Sequence, residues 1–252
     1  MKIIDGSVTA AKGFRATGAA VGIKKGVKDL ALIASDVPAT AAAAFTTNVV
    51  KATSVTRNMA IMESGAKING VAINSGNANA CTGEQGIKDN ELMAQAMAWL
   101  MGVEKEEILT AATGIIGLAM PMEKILKGIE ETYPELSPRR DSAKNAAGGI
   151  ITTDTFIKEM AVELNIGGKV VKIGGMAKGS GMVHPNMATV LSFITTDINI
   201  SHKLLQKAMK DAVHETYNMI SVDGATSTND MALIMANGMA ENEEITEENE
   251  FY

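Results

Sequence analysis

A chain of 252 residues with 24 glycines, 17 methionines and only 4% aromatic residues can bury a sizeable core of Ala, Val, Ile, Leu and Met, as one large domain or two small ones. Its formal charge of −6 excludes nucleic acid as a general partner, because phosphate binding needs clustered Lys and Arg. No apolar run approaches the roughly 18 residues of a membrane helix, the N-terminus lacks a signal-peptide core, and the single Cys81 cannot close an internal disulfide, so a cytoplasmic globular protein is expected.

Residues 1–60 read as strands and turns. Leu30 to Ala34 is short and apolar, which suits a buried strand. The run from Ala39 to Phe45 stays open between helix and strand: Ala favours helix, but the run is short. Gly70 to Asn74 reads as a strand ending in the small, polar Ser75–Gly83 loop, which is either a structural turn or part of a site. Cys81 in that loop is expected to be a small buried residue rather than a nucleophile. Helical spacing from Gly86 to Met101 puts Leu92, Ala96, Trp99 and Leu100 on one face, with Asp89 and Glu91 near the start.

Ile108 to Ala112 then reads as a strand running into Thr113-Gly114-Ile115-Ile116-Gly117, with helical periodicity again from Pro121 to Gly128. A turn between strand and helix leaves backbone N–H groups unpaired, serving either as an ordinary helix start or as donors to an oxyanion. Ser137 to Asp141 opens a helix, and Ile150 to Thr155 reads as a strand with a hydroxyl-rich end. Met160–Leu164 and Val170–Ile173 flank a hairpin turn at Gly167-Gly168.

The stretch from Lys178 to Asp197 joins a glycine-rich turn (Gly179, Gly181) and Pro185 to the buried strand Val190–Ile194. Thr189 thus stands where a constrained loop enters a buried strand, and its hydroxyl can be held against the carbonyl of Ala188. The residues alone leave open an ordinary junction in which Thr merely suits the strand. A helix follows from Lys203 to about Tyr217, with Ser201 as N-cap and His202 and His214 on its solvated side. Three scattered His residues make no metal pattern. Ser221 to Asp230 is a polar loop without EF-hand spacing, Met231–Ala236 is apolar, and Glu241–Glu250 is acidic and expected to be mobile.

Five stretches in series resemble the ornithine acetyltransferase (glutamate N-acetyltransferase) family of arginine biosynthesis. They are Asn74–Gly83, Ala112-Thr113-Gly114-Ile115-Ile116-Gly117, Thr152-Thr153-Asp154-Thr155, Lys178-Gly179-Ser180-Gly181-Met182 with Pro185 and Met187-Ala188-Thr189, and Ser221-Val222-Asp223-Gly224. The resemblance implies an α/β fold, a layered α-β-β-α sandwich of the N-terminal-nucleophile type. It implies a core over residues 1–240, cut between Ala188 and Thr189 into an α part (1–188) and a β part from 189. Residues 241–252 form an acidic tail, and the family's C-terminal domain is absent from this sequence.

By the same resemblance, Thr189 is the nucleophile, Thr113 and Gly114 form the oxyanion hole, Lys178 pairs with a substrate carboxylate, and Thr152, with Thr153 as rival, fixes the acyl substrate. A threonine made N-terminal by cleavage carries its own base, an α-amine of unperturbed pKa about 8. Acetyl would then pass from N-acetylornithine to glutamate through acetyl-Thr189, with acetyl-CoA as a second donor left open, no cofactor or metal, and an α2β2 assembly. His184 falls at a position the family varies, and Ala225 stands where the family usually carries an acid. Two other readings remain: a related aminopeptidase or amidase that passes the acyl group to water, and an inactive truncated binding subunit.

Overall fold

The computed structural model describes residues 1–182 and 190–248. His184, Ala188 and Thr189 lie outside these residues. In chain order the elements are β1 (Lys2–Ile4), β2 (Phe14–Ala19), β3 (Leu30–Phe45), α1 (Thr53–Ser64), β4 (Ile68–Asn77), α2 (Gly83–Met101), β5 (Ile108–Ile115), α3 (Met122–Thr132), α4 (Arg140–Ile150), β6 (Lys158–Ile166), β7 (Lys169–Lys178), β8 (Leu191–Thr196), α5 (His202–Glu215) and β9 (Met231–Ala236).

The frame is set by β3, 16 residues long. Its first half pairs with β2 on one side and β4 on the other, and β5 pairs with β4 in parallel. A register shift between Ala34 and Ala39, spanning Pro38, bends the strand out of this sheet. Its second half pairs with β9 in a second sheet ordered β1-β6-β7-β8-β9-β3, in which β8 and β9 run parallel. The Ala39–Phe45 run is therefore strand. Alternation explains it: Ala41 and Ala43 face the central core, while Ala42 faces α5.

The central strands are covered on both faces and are largely apolar, whereas the outer β6 is partly exposed and carries Lys158, Glu159 and Glu163. Ile33, Val71 and Leu109 point into the core between the sheets with Phe193, Leu233 and Ile150. Leu30, Leu32, Ala72 and Ile108 point outward onto α2 and α3. On the other sheet Val171, Ala232 and Ala236 meet Leu204, Leu205, Met209 and Val213 of α5. The result is a layered α-β-β-α arrangement. Helix α4 lies against β2 and β3 so closely that a Cβ on Gly149 would stand 2.4 Å from the Leu30 carbonyl oxygen. No helix among the described residues is long and apolar enough to cross a membrane.

Several sequence expectations are corrected. Helix α2 forms where expected, but its buried face carries Met93, Ala94, Met97 and Ala98, while Trp99 is 75% exposed. The larger Trp99 and Leu92 lie on the outer side of the helix, while the smaller Ala and flexible Met side chains fit against the sheet. Ile150 ends α4 rather than opening a strand, so residues 151–157 form turns before β6. Cys81 is exposed, in a loop where its φ is 57°. His202 is exposed, yet its Nδ1 lies 2.9 Å from the Ala41 carbonyl oxygen. Ser201 precedes α5 without a side-chain cap. Beyond Glu241, Asn242 and Ile245 are buried, held by the Asn199–Asn242 hydrogen bonds and the Ile200–Ile245 bridge.

Candidate active site

Three strand ends meet at one place. Lys178 ends β7 and is in register with Leu191 at the start of β8, which is in register with Met231 at the start of β9. Against them stands the far end of β5, where Ser75 pairs with Thr113 and Gly76 with Gly114. Strand ends suit this purpose because the sheet fixes the backbone up to the last ladder bond. Thr113-Gly114 thus lies at the end of a strand, and α3 begins only at Met122, eight positions beyond Gly114, so the unpaired-helix-start explanation of its donors does not apply.

Gly114 has φ +136°, and a Cβ there would lie 2.3 Å from the Gly76 carbonyl carbon. Only glycine fits so close an approach to β4. Thr113 is 5% exposed, and its Oγ1 accepts a 3.0 Å hydrogen bond from Lys178 Nζ. An ammonium cannot accept, so the Thr113 hydroxyl proton is left to donate elsewhere, polarised by the charge behind it. Lys178 itself is 4% exposed. Burial lowers its pKa, partly offset by Asp154 and Asp230.

Asp154 organises the neighbouring turn. Its Oδ1 accepts from Lys158 Nζ and from the Gly179 amide, and its Oδ2 from the Thr152 amide. Desolvation works against the ion, but Lys158 and these amides outweigh it, and its pKa falls below the usual range. Thr152 and Thr153 both line the cavity. The Thr153 hydroxyl is engaged with Ser180 Oγ at 2.7 Å.

The Ser227–Asn229 segment closes the far wall, with Asp230 buried behind it. Asn229 Nδ2 donates to the carbonyls of Ala78 and Ala112 at 2.6 and 2.8 Å, tying this loop to both β4 and β5. Asp230 is 1% exposed, and neither of its carboxylate oxygens has a hydrogen-bond partner among the described residues. The Ser227 hydroxyl and amide approach it without reaching hydrogen-bonding geometry, so burial dominates and pushes its pKa up to about 7. Met231 N donates to Val190 O at 3.0 Å, which fixes the start of β8 beside Asp230.

Together these residues enclose a cavity of about 460 Å³ lined by Thr113, Gly114, Thr152, Lys178, Asn229 and Lys24, among others. Four of the sequence-assigned site residues therefore share one cavity: Thr113, Gly114, Thr152 and Lys178. Thr189, immediately before Val190, and Ala188 lie outside the described residues. Sequence reasoning missed Lys24, Asn229 and Asp230 as site residues. Asp230 carried one signal, an acid directly abutting an apolar run; Lys24, in a glycine-rich turn far away in sequence, carried none.

A larger groove of about 700 Å³ lies between α1 and α2. Its charged groups are consumed locally: Arg57 binds Glu91 and the carbonyls of Ile108 and Lys105, and Lys105 pairs with Glu91. It offers no comparable convergence of free donors.

Residues 15–252 match the model of the ArgJ family. The chain belongs to the ArgJ family. The arginine biosynthesis bifunctional protein ArgJ of Caldanaerobacter subterraneus subsp. tengcongensis is 52% identical over 98% of this chain and 60% of its own length. That of Bacillus subtilis is 46% identical over 97% of this chain and 59% of its own. The chain thus spans about 60% of the length of the ArgJ relatives it matches. An ArgJ crystal structure from Bacillus halodurans superposes with a TM-score of 0.71 at 38% identity, covering 75% of this chain and 97% of that one. The ornithine acetyltransferase of Mycobacterium tuberculosis, solved with ornithine, gives 0.67 at 34% identity, covering 75% and 99%. The L-aminopeptidase of Ochrobactrum anthropi, a variant of the Ntn hydrolase fold, gives 0.60 at 10% identity, a likeness of fold alone. The layered fold expected for this ArgJ chain is therefore the one found.

Proposed function

We propose that this chain carries the acetyl-transfer site of a glutamate N-acetyltransferase, a single core over residues 1–240 that cuts itself between Ala188 and Thr189. The observation that carries the reading is the shared cavity of Thr113, Gly114, Thr152 and Lys178, whose last member is in register with Leu191 at the start of β8, the strand that follows Thr189 in the chain. In the first step Thr189 Oγ attacks the Ala188 carbonyl carbon, its proton passes to the amide nitrogen, and the C–N bond breaks to give an ester. Water then cleaves that ester, freeing Ala188 as a carboxylate and Thr189 with its own α-amine as base. A cut there leaves a piece of 188 residues out of 252, about 75% of the chain, which is the share that the Bacillus halodurans and Mycobacterium tuberculosis chains cover while being matched over 97% and 99% of their own length.

In the transfer, Thr189 Oγ attacks the acetyl carbon of N-acetylornithine. The oxyanion is held by the Thr113 hydroxyl and the Gly114 amide, and ornithine leaves as the amine with the proton taken from Thr189. The amine of glutamate then attacks the acetyl ester, giving N-acetylglutamate and restoring the hydroxyl. Thr152, whose neighbour Thr153 is engaged with Ser180, fixes the acyl substrate, and Lys178 meets a substrate carboxylate. The reaction is ping-pong, acts in the reducing cytoplasm, and runs in an α2β2 assembly; acetyl-CoA is a second donor to be tested in the same assay.

Intact mass of fresh protein and an acetyl-transfer assay test this reading. Thr189→Ser should still cleave and transfer, whereas Thr189→Ala should do neither; an alanine variant that transfers acetyl overturns it. Hydrolysis of N-acetylornithine without dependence on glutamate would assign the site to the amidase chemistry instead.

A further inference from the structure

Lys24 is the charged group in the cavity that the mechanism above leaves unused. It lines the same space as Lys178, Thr113 and Thr152, although it comes from the turn between β2 and β3. Its position is built. Asp29, fully buried, accepts from the backbone amides of Val21 and Lys24, both at 2.7 Å, and so shapes the turn. The Lys24 stem lies over Gly76, where a Cβ would come within 2.8 Å of its Cγ. Its Nζ donates to the Ile151 carbonyl at 2.7 Å. An ammonium has three donors, so this anchor aims the group while leaving donors for a ligand.

The local charge favours an anion. Burial lowers the pKa of both Lys24 and Lys178; Asp29 and Asp154 act against it at Lys24, and Asp154 and Asp230 at Lys178, where Lys158 and Lys24 add to the lowering. Asp154 spends itself on Lys158 and two amides, and buried Asp230 is pushed up to about 7. Neither Lys24 nor Lys178 has an ion-pair partner among the described residues, so two lysines present cationic donors to one cavity. A ligand with one carboxylate satisfies one of them; a dicarboxylate satisfies both.

We propose that Lys24 is a specificity-determining residue that takes the second carboxylate of a dicarboxylic amino-acid substrate, while Lys178 takes the first. The inference rests on the acetyltransferase reading for the choice of ligand, since glutamate and N-acetylglutamate carry two carboxylates and N-acetylornithine carries one.

Binding by calorimetry tests it without requiring turnover. N-acetylglutamate and N-acetylornithine are titrated into wild type, Lys24→Met, which keeps the stem, and Lys24→Arg, which keeps the charge. Loss of one charge-assisted contact should weaken N-acetylglutamate about tenfold or more in Lys24→Met, leave N-acetylornithine within about twofold, and be largely restored in Lys24→Arg. Equal weakening of both ligands, no change in either, or a wild type that binds neither overturns the inference. Should Lys24→Met not fold, Lys24→Gln against Lys24→Arg makes the same comparison. A wild type that discriminates the two ligands through Lys24 yet transfers no acetyl would sink the acetyltransferase reading and leave the assignment of Lys24 intact.

Discussion

Asp230 shows how a single buried group leaves a mark on the whole protein. Its folded pKa of about 7 stands above the ordinary 3.8, so between these values the folded state holds a proton that the unfolded state has lost. Its contribution to stability is complete below about pH 4 and disappears as pH rises to about 7, a swing of at most about 4 kcal/mol. Asp230→Asn should flatten that part of the pH–stability curve, measured by denaturant unfolding at pH 4.5 and 7.5. An unchanged slope would mean that Asp230 is not the protonated group. Thr113 tests the chemistry at the same scale. Thr113→Val keeps the shape but removes the hydroxyl, leaving the buried Lys178 ammonium without its partner. Acetyl transfer should fall roughly 10²- to 10³-fold, as for loss of one oxyanion donor, with a stability loss of about 1–3 kcal/mol; full activity would remove Thr113 from the mechanism.

At the scale of elements, the site depends on how closely α4 lies on the strands. Gly149 sits under the Leu30 carbonyl, and its own carbonyl accepts from Ser75 Oγ at 2.7 Å. Gly149→Ala forces that contact open. The overpacking should cost about 1–3 kcal/mol, seen as a lowered Tm, and should shift Ile151 and Thr152, which follow directly in the chain. Substrate binding should therefore weaken along with stability, which separates this variant from one that merely loosens a remote helix.

Across the whole molecule, β8 and β9 lie in the middle of one sheet, between β7 and β3. Both strands come after the proposed cut, while both their outer neighbours come before it. A chain broken at residue 188 should therefore stay together: the two pieces should elute as one species in buffer and separate only in denaturant. Pieces that separate in native buffer would contradict the strand order. Because β3 belongs to both sheets, calorimetry should show a single cooperative transition for the described core. Trp99, largely exposed, is a poor reporter of it, so circular dichroism is the better probe.

What the sequence determined by itself was most of the strands, the helices other than α1, which falls where residues 1–60 read as strands and turns, and the family. Runs such as Gly70–Asn74 and Val190–Ile194 are short, apolar and bounded by turn residues, local signals that agree with the strands they fall on. The motif series singles out Thr113, Gly114, Thr152 and Lys178, which share one cavity. Tertiary structure decided the rest, since it concerns partners distant in the chain. Ala39–Phe45 is strand because β9 supplies its hydrogen bonds and α5 its cover, neither of which is written in seven small residues. The buried face of α2 is its Ala and Met side because close packing on β4 and β5 selects small and adaptable side chains over Trp99. Lys24 reaches the cavity only because the turn that carries it is pinned by Asp29 and laid across Gly76, a meeting of residues that no spacing within the sequence encodes.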